Sequence, residues 1–194
     1  RLVIATNVND ILVRTLRSGK YEPKGVVATS SPSMDIQISS NFERLMFEAA
    51  GRDAGRVREH MDALATQHGF SLSDSERNAV SELFAAESVT EEEVAATMAD
   101  VAGKTGYICD PHTAVGIAAA RRQAENGVPM VTLATAHPAK FPDAVRAATG
   151  VTPTLPGHVA EKLEGEERYS VLANDYAGLA GYIEDNASAM GEAV

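Results

Sequence analysis

Short apolar runs alternate with longer stretches in which apolar residues recur every three or four positions. Apolar runs bounded by polar residues predict strands at residues 2–5, 25–30, 107–109 and 130–134. The first run is short and β-branched, which is typical of a strand buried on both faces. Because helical segments separate these runs, the pattern predicts an α/β fold with a partial, mostly parallel sheet and flanking helices.

Helix boundaries follow from the caps. The segment "DILVRTLRSGKY" predicts a short helix that Gly19 closes. Three capping boxes, in which a Ser or Thr precedes a Glu by three positions, predict further helix starts. They are Ser40 with Glu43, Ser73 with Glu76, and Thr90 with Glu93. Gly103 is expected to end the last of these helices, so residues at about 52–104 are predicted to be a wholly helical insertion.

The remaining third predicts a helix from Pro111 with Asp110 as its N-cap, and another from Pro142 to Gly150. Two apolar-patterned segments follow, "HVAEKL" and "DYAGLAGYIEDN". We therefore expect residues 1–150 to form one α/β unit that includes the insertion. Residues 151–194 are expected to form a helical extension that packs on it.

Composition narrows the class of protein. The net charge is −10, from 27 acidic and 17 basic residues, and no basic cluster is present that would bind nucleic acid. No apolar run reaches the roughly 18 residues that span a membrane. With a single cysteine, Cys109, and no secretory segment, the sequence fits a reducing cytoplasm and a buried, inert thiol.

Familiar catalytic motifs fail on inspection. "AGKTG" resembles the end of a phosphate-binding loop, but Met98 stands where that motif needs glycine, and a helix precedes it instead of a strand. The five histidines lack zinc-site spacing, so we expect no metal site. No Gly-x-Ser-x-Gly elbow is present.

Two polar strand ends remain, "ATNVND" and "LATAHPAKF". Ligands of open α/β sheets bind beyond the carboxyl ends of the strands, where Asn7, Asn9, Asp10, Thr135 and His137 are predicted to lie. The alternative is that these Asn and Asp residues only form turns and helix caps.

Four blocks carry a family resemblance: "ATNVNDILVRTLRSGKY", "SPSMDIQISSNFERLMFE", "GYICDPHTAVGIAAARR" and "LATAHPAKFPDAV". Together they resemble the carboxyl-terminal part of threonine synthases, in the longer bacterial and fungal branch with a helical insertion. The resemblance implies a tryptophan-synthase-β-like fold and the cofactor pyridoxal 5'-phosphate. It also implies a lyase reaction that converts O-phospho-L-homoserine and water to L-threonine and phosphate.

The resemblance also suggests roles for individual residues. It implies that the Thr135 hydroxyl contacts the pyridine nitrogen of the cofactor, and that Asn7, Asn9 and Asp10 lie on the pocket side of a strand. Asp110 and His112 are expected to line the same cleft, although capping alone accounts equally well for Asp110. His137 and Lys140 are expected in the substrate pocket, Lys140 at its edge, with a purely structural role as the alternative for Lys140.

The family's Schiff-base lysine and glycine-rich phosphate loop lie upstream of the matched blocks and do not occur here, so Lys140 is not that lysine. The apolar start without methionine suggests a chain cut from a longer one, whose amino-terminal half is the missing partner. We expect the chain alone to be inactive, and its open sheet edge to favour pairing of two copies.

Two other interpretations stay open. The first is a non-catalytic binding or regulatory module built on the same half of the fold. The second is another fold relative, such as a serine/threonine dehydratase or cysteine synthase, although the "ATNVND" and "HPAKF" blocks argue against it.

Overall fold

The computed structural model describes residues 1–163 and 165–187 and divides into two compact units, Arg1–Thr154 and Leu155–Val194. The strands are β1 (Leu2–Thr6), β2 (Lys20–Tyr21), β3 (Phe70–Ser71) and β4 (Phe84–Ser88). The helices of the first unit are α1 (Ile11–Ser18), α2 (Phe42–Ala49), α3 (Ala54–Gln67), α4 (Asp74–Leu83), α5 (Glu91–Thr105), α6 (Pro111–Gln123) and α7 (Pro142–Thr149). Short 3-10 helices span Pro32–Met34 and Pro138–Lys140.

The second unit contains α8 (Gly157–Leu163) and α9 (Tyr176–Asn186), at the two segments where the sequence predicts helices. The packing of this extension on the first unit stays a prediction, and the final residues of the predicted range, 188–194, lie outside the described residues. Within residues 1–163 and 165–187, the helices are too short or too polar to cross a lipid bilayer.

The α/β class is confirmed, with a parallel pair at its centre. β1 pairs with β4 from Leu2 opposite Phe84 to Thr6 opposite Ser88, and β2 pairs antiparallel with β3. The prediction of a wholly helical insertion at 52–104 is wrong, because β3 and β4 lie inside it. Phe84 ends α4 in an extended conformation, and the chain continues directly into ladder bonds with β1, a tertiary effect that local pattern does not reveal.

The strands predicted at 25–30, 107–109 and 130–134 are wrong for this chain. These segments have no ladder partner among the described residues. The apolar side chains of 25–30 and 130–134 are largely uncovered, since Val27 is 57% exposed and Val131 is 80% exposed, whereas Cys109 of the third segment is buried. β1 is not buried on both faces either, because Leu2 is 51% exposed. A sequence suited to a buried strand therefore lacks the neighbours that would bury it.

Several caps are confirmed. Gly19 closes α1 in the left-handed conformation, at φ +74°. Both oxygen-to-amide bonds of a capping box are present at Ser73 with Glu76 and at Thr90 with Glu93. Asp110 caps α6 by accepting from the His112 and Thr113 backbone amides.

Two predicted boundaries are wrong. The Ser40 box does not form, because α2 begins at Phe42 after Asn41, which already has helical backbone angles and makes no capping bond. Gly103 does not end α5; the helix continues to Thr105 and Gly106 closes it at φ +73°. A glycine inside the last turn costs little when a second glycine can take the left-handed position.

The buried side chains form two clusters. One joins α5 and α6, where Ala114, Ala118 and Ala119 allow close approach to Val94 and Met98. The other surrounds Tyr21, whose ring stacks on Phe42 at 5.2 Å and on Phe70 at 4.8 Å. The Tyr21 hydroxyl accepts a hydrogen bond from the Ser39 amide at 2.8 Å, so the stack ties β2 to both α2 and β3.

Glu76 is a buried carboxylate that joins α3 to α4. It accepts from Arg56 Nε at 3.0 Å, contacts His60 Nε2 at 2.9 Å, and accepts from the Ser73 amide at 2.7 Å. Burial by itself raises the pKa of Glu76, but the bonds from Arg56, Ser73 and His60 outweigh it and lower that pKa from 4.5 to about 2. The charged form is therefore the one that stabilises the fold.

Replacing Glu76 by Gln should lower the free energy of unfolding at pH 7 by about 3 kcal/mol, because it leaves Arg56 and the buried His60 ring without their anion. Since the folded pKa lies below the unfolded one, the stabilisation is present above pH 4.5 and disappears as pH falls toward about 2. Urea unfolding across this range checks the prediction. The control Glu59→Gln removes an exposed partner of Arg56 and should cost about 1 kcal/mol or less. Equal pH dependence in the unsubstituted chain and the Glu76→Gln variant would contradict the prediction.

Candidate functional site

Asn7 and Asn9 follow β1 and are both buried. The Asn7 amide donates to Thr29 Oγ1 and to Asp35 Oδ1, each at 2.8 Å. The Asn9 amide donates to the same Asp35 oxygen at 3.0 Å, and its backbone amide donates to Asn7 Oδ1 at 2.9 Å. Thr29 also donates to Asp35, through its hydroxyl at 2.7 Å. The Asp35 carboxylate thus accepts hydrogen bonds from Asn7, Asn9 and Thr29 beside the end of β1.

The Asn9 side chain also makes hydrogen bonds of the kind that join neighbouring strands. Its Nδ2 donates to the Val27 carbonyl at 2.8 Å, and its Oδ1 accepts from the Val27 amide at 2.9 Å. These two bonds match those that a neighbouring strand residue would make. Val27 is therefore held beside the end of β1, although residues 25–30 do not pair as a strand.

Sequence reasoning missed Asp35, Thr29 and Ser31, which complete this network. A cue was available, because the segment "SSPSMD" places Pro32 at the first position of a 3-10 turn that ends at Asp35. Asp10 stands apart from the network and pairs with Arg14 Nε at 2.8 Å. A pocket role for Asn7, Asn9 and Asp10 stays a prediction, but the two amides are engaged internally.

Asn9→Asp should destabilise the first unit by about 3 kcal/mol or more, because it removes buried donors and sets a second carboxylate against Asp35. The measurement is urea unfolding at pH 7. Asn41→Asp makes the same chemical change at an exposed position without a capping bond, and should alter stability by about 0.5 kcal/mol or less. A similar cost for both variants would show that the Asp35 network does not hold this strand end.

A second buried cluster lies at the start of α6. Asp110 Oδ1 accepts from the His112 amide and contacts His112 Nδ1, both at 2.9 Å, and Thr113 Oγ1 donates to Asp110 Oδ2. The other ring nitrogen, His112 Nε2, lies 3.2 Å from the Ser33 amide. The Phe141 ring packs against the imidazole with centroids 4.7 Å apart.

A cavity of about 690 Å³ is lined by β1, α6 and the segment at 129–135. Its lining includes Leu2, Val3, Ala5, Gly116, Ala119 and residues 129–133. Of the predicted site residues, all of which the structure describes, Thr135 and His112 line it. Gly116 lets the segment lie close to α6, because a Cβ at this position would be 2.9 Å from Thr132 Cγ2 and the Thr132 side chain would have to shift.

His137 and Lys140 lie on the 3-10 turn that follows the cavity. His137 Nδ1 accepts from the Ala139 amide at 3.2 Å, which caps the turn. The Lys140 ammonium is 5.8 Å from the centroid of Phe141, the ring that packs on His112. Lys140 does not itself line the cavity; it is connected to the lining residue His112 through the Phe141 ring.

Cys109, just before Asp110, is buried. Burial, and after it the negative charge of Asp110, raise the pKa of the Cys109 thiol, which disfavours a nucleophilic role. In the part of the chain that the structure describes, no three His, Cys, Asp or Glu side chains cluster as metal ligands would.

A family model described as "Threonine synthase, C-terminal" matches residues 113–183. Threonine synthase from Pseudomonas aeruginosa is 42% identical over 188 residues, which is 96% of this chain and 40% of that protein. The crystal structure of a PLP-bound threonine synthase from Brucella melitensis superposes with a TM-score of 0.86 at 52% identity, over 95% of this chain and 40% of that one. This chain matches the carboxyl-terminal part of the threonine synthase family.

The crystal structure of the yeast threonine synthase agrees, with a TM-score of 0.80 at 34% identity over 95% of this chain and 42% of that one. The chain spans about 40% of the length of the curated threonine synthases from Pseudomonas aeruginosa and Corynebacterium glutamicum. The resemblance given by the four sequence blocks is confirmed, and so is the partial nature of the match.

Proposed function

We propose that this chain is the carboxyl-terminal part of a threonine synthase, a carbon–oxygen lyase that converts O-phospho-L-homoserine and water to L-threonine and phosphate. The observation that carries the proposal is the match to the PLP-bound enzyme from Brucella melitensis, at 52% identity over 95% of this chain.

The residues around Thr135 fit pyridoxal 5'-phosphate. Thr135 is an exposed hydroxyl at a cavity whose other walls are mostly apolar, and a hydroxyl can meet the ring nitrogen of a pyridine. When bound, the cofactor supplies an electron-withdrawing ring that takes up negative charge from the reacting carbon. A neutral hydroxyl stabilises a protonated ring nitrogen less than a carboxylate would, so Thr135 keeps that uptake moderate.

The other residues of the site divide by whether their polar atoms are engaged. Asn7 and Asn9 support the end of β1 through Asp35, and they shape the site without offering donors to a ligand. Lys140 is exposed and its ammonium lies over the face of Phe141, so it is suited to an anionic phosphate group. We assign Lys140 and His137 to the substrate side and Thr135 to the cofactor side.

The cavity beside β1 is where we propose that further polypeptide enters. β1 uses one edge for β4, and the segment at 129–135 has strand-like sequence but no partner among the described residues. The exposed Val131 and Leu133 side chains need a covering layer. An extended strand from outside this chain would give both edges their hydrogen bonds, and it would come from the remainder of a threonine synthase about 2.5 times as long.

The chain alone, supplied with pyridoxal 5'-phosphate and O-phospho-L-homoserine, should release no phosphate, because none of its residues matches the family's Schiff-base lysine. Co-expression with the upstream part of the gene product should restore phosphate release. A coupled phosphate assay measures the release in both cases. Turnover by the chain alone would refute the proposal.

A pair of matched variants tests the cavity itself. Val131→Lys should prevent complementation, because it buries a charge under the incoming polypeptide, whereas Val171→Lys, at an equally exposed valine of the second unit, should not. If Val131→Lys instead abolishes a dimer of this chain and leaves complementation intact, the edge serves pairing of two copies. Complementation that yields a stable complex without turnover would favour the non-catalytic module.

In the complete gene product, Thr135→Ala should lower the turnover number about tenfold through loss of one buried hydrogen bond, while Thr135→Ser should stay within about twofold. Turnover and cofactor binding by equilibrium dialysis are both measured. Thr66→Ala is the control, since the Thr66 hydroxyl donates within its own helix, to Asp62 O. Full activity in Thr135→Ala would exclude the assigned contact.

A further inference from the structure

His112 joins three separate segments of the first unit. Its Nδ1 faces Asp110 at the start of α6, its Nε2 faces the Ser33 amide in the 3-10 turn at Pro32–Met34, and its ring packs on Phe141 after the turn at Pro138–Lys140. The side chain is 5% exposed, and its edge lines the cavity that Thr135 also lines. These contacts lie on three sides of one ring.

The partners fix the form of the imidazole. A backbone N–H can only donate, so His112 Nε2 must accept from Ser33 with its lone pair. The proton of the neutral ring is then on Nδ1, where the Asp110 carboxylate accepts it at 2.9 Å. Both ring nitrogens are therefore occupied, and neither is available to exchange a proton with a ligand.

We infer that His112 is a positioning residue that sets the distance between two walls of the site. The Pro32–Met34 turn carries Met34, which lines the cavity, and it lies next to Ser31, whose hydroxyl accepts from Asn7 Nδ2 at 3.1 Å. The Pro138–Lys140 turn carries Lys140 and leads into Phe141. Since His112 contacts the first turn at Ser33 and Phe141 directly after the second, it holds the network of Asn7 and Asp35 in register with Thr135 and Lys140.

Asp110 is the second half of this device. Its two oxygens accept from the His112 amide, His112 Nδ1, the Thr113 amide and the Thr113 hydroxyl. A carboxylate at a helix start is stabilised by the helix dipole. It also orients the ring, as a carboxylate that is hydrogen-bonded to a metal-bound or catalytic histidine orients that histidine. Asp110 therefore acts through His112, beyond capping α6.

Two substitutions separate the two bonds. In His112→Gln the amide oxygen reaches the place of Nε2 and can still accept from Ser33, whereas His112→Asn keeps a donor near Nδ1 for Asp110 but is too short to reach Ser33. His158→Asn, at an exposed histidine of α8, is the control. The variants are made in the complete gene product, and the effect on turnover rests on the proposed function.

Three measurements are made: the turnover number, hydrogen exchange at the Ser33 amide, and ¹⁵N spectra of the histidine rings in the unsubstituted protein. We expect His112→Asn to speed Ser33 exchange and to lower the turnover number about tenfold, and His112→Gln to stay within about threefold on both. The urea midpoints of the Gln and Asn variants should be alike while their turnover numbers differ. If His112 served packing alone, turnover would change only as stability changed.

Equal turnover and equal Ser33 exchange in the Gln and Asn variants would overturn the inference. If neither variant folds, the ring spectra decide: a proton on Nδ1 supports the arrangement, and a proton on Nε2 excludes it. Absence of threonine synthase activity in the unsubstituted protein would refute the proposed function, while the exchange and ring spectra would still test the role of His112.

Discussion

Parallel pairing of β1 with β4 determines where the site lies. It fixes the end of β1 at Thr6, so that Asn7 and Asn9 emerge beside the turn that carries Asp35. It also satisfies one edge of β1 and leaves the other facing the cavity of about 690 Å³. That second edge has no ladder partner among the described residues, and under the proposed function it is where further polypeptide would pair.

At the end of β1, polar side chains make the hydrogen bonds to the backbone that a neighbouring strand would otherwise make. Asn9 bonds both backbone groups of Val27, and Asp35 accepts from two asparagines and a threonine. Such a network is stable only when each member has its partners, since an orphaned buried donor costs as much as several good contacts return. The polar atoms of the network are therefore used within the protein. For the same reason, we expect a charge introduced at Asn9 to lower the stability strongly.

The sequence predicted helices better than strands, for a physical reason. Caps such as Ser73 with Glu76, and Asp110 with Pro111, act within one turn of the chain, so their bonds can be read locally. Residues 130–134 have the composition of a strand but need a neighbour that the described part of this chain does not offer, and β4 becomes a strand because β1 lies beside it. Of the predicted site residues, Thr135 and His112 line the cavity and Asn7 lies in the Asp35 network, while their functional roles stay predictions; Asp35 became visible only through contacts that span more than twenty residues.

Residues whose polar atoms are bonded within the protein differ in role from residues whose polar atoms are free to meet a ligand. Asn7, Asn9, Asp110 and His112 have their nitrogens and oxygens engaged by protein partners, so each can orient the site without exchanging a proton with a ligand. Thr135 and Lys140 present an exposed hydroxyl and an exposed ammonium at the cavity mouth and its adjoining turn. One hydroxyl and one cation can orient a cofactor ring and attract a phosphate, and the exposed imidazole of His137, whose Nδ1 accepts from the Ala139 amide, lies on the same turn as the cation. Under the proposed function, the reactive amine and the strand proposed for the open edge of β1 would both come from polypeptide outside this chain, so that completing the sheet and completing the catalytic site would depend on the same remainder of the enzyme.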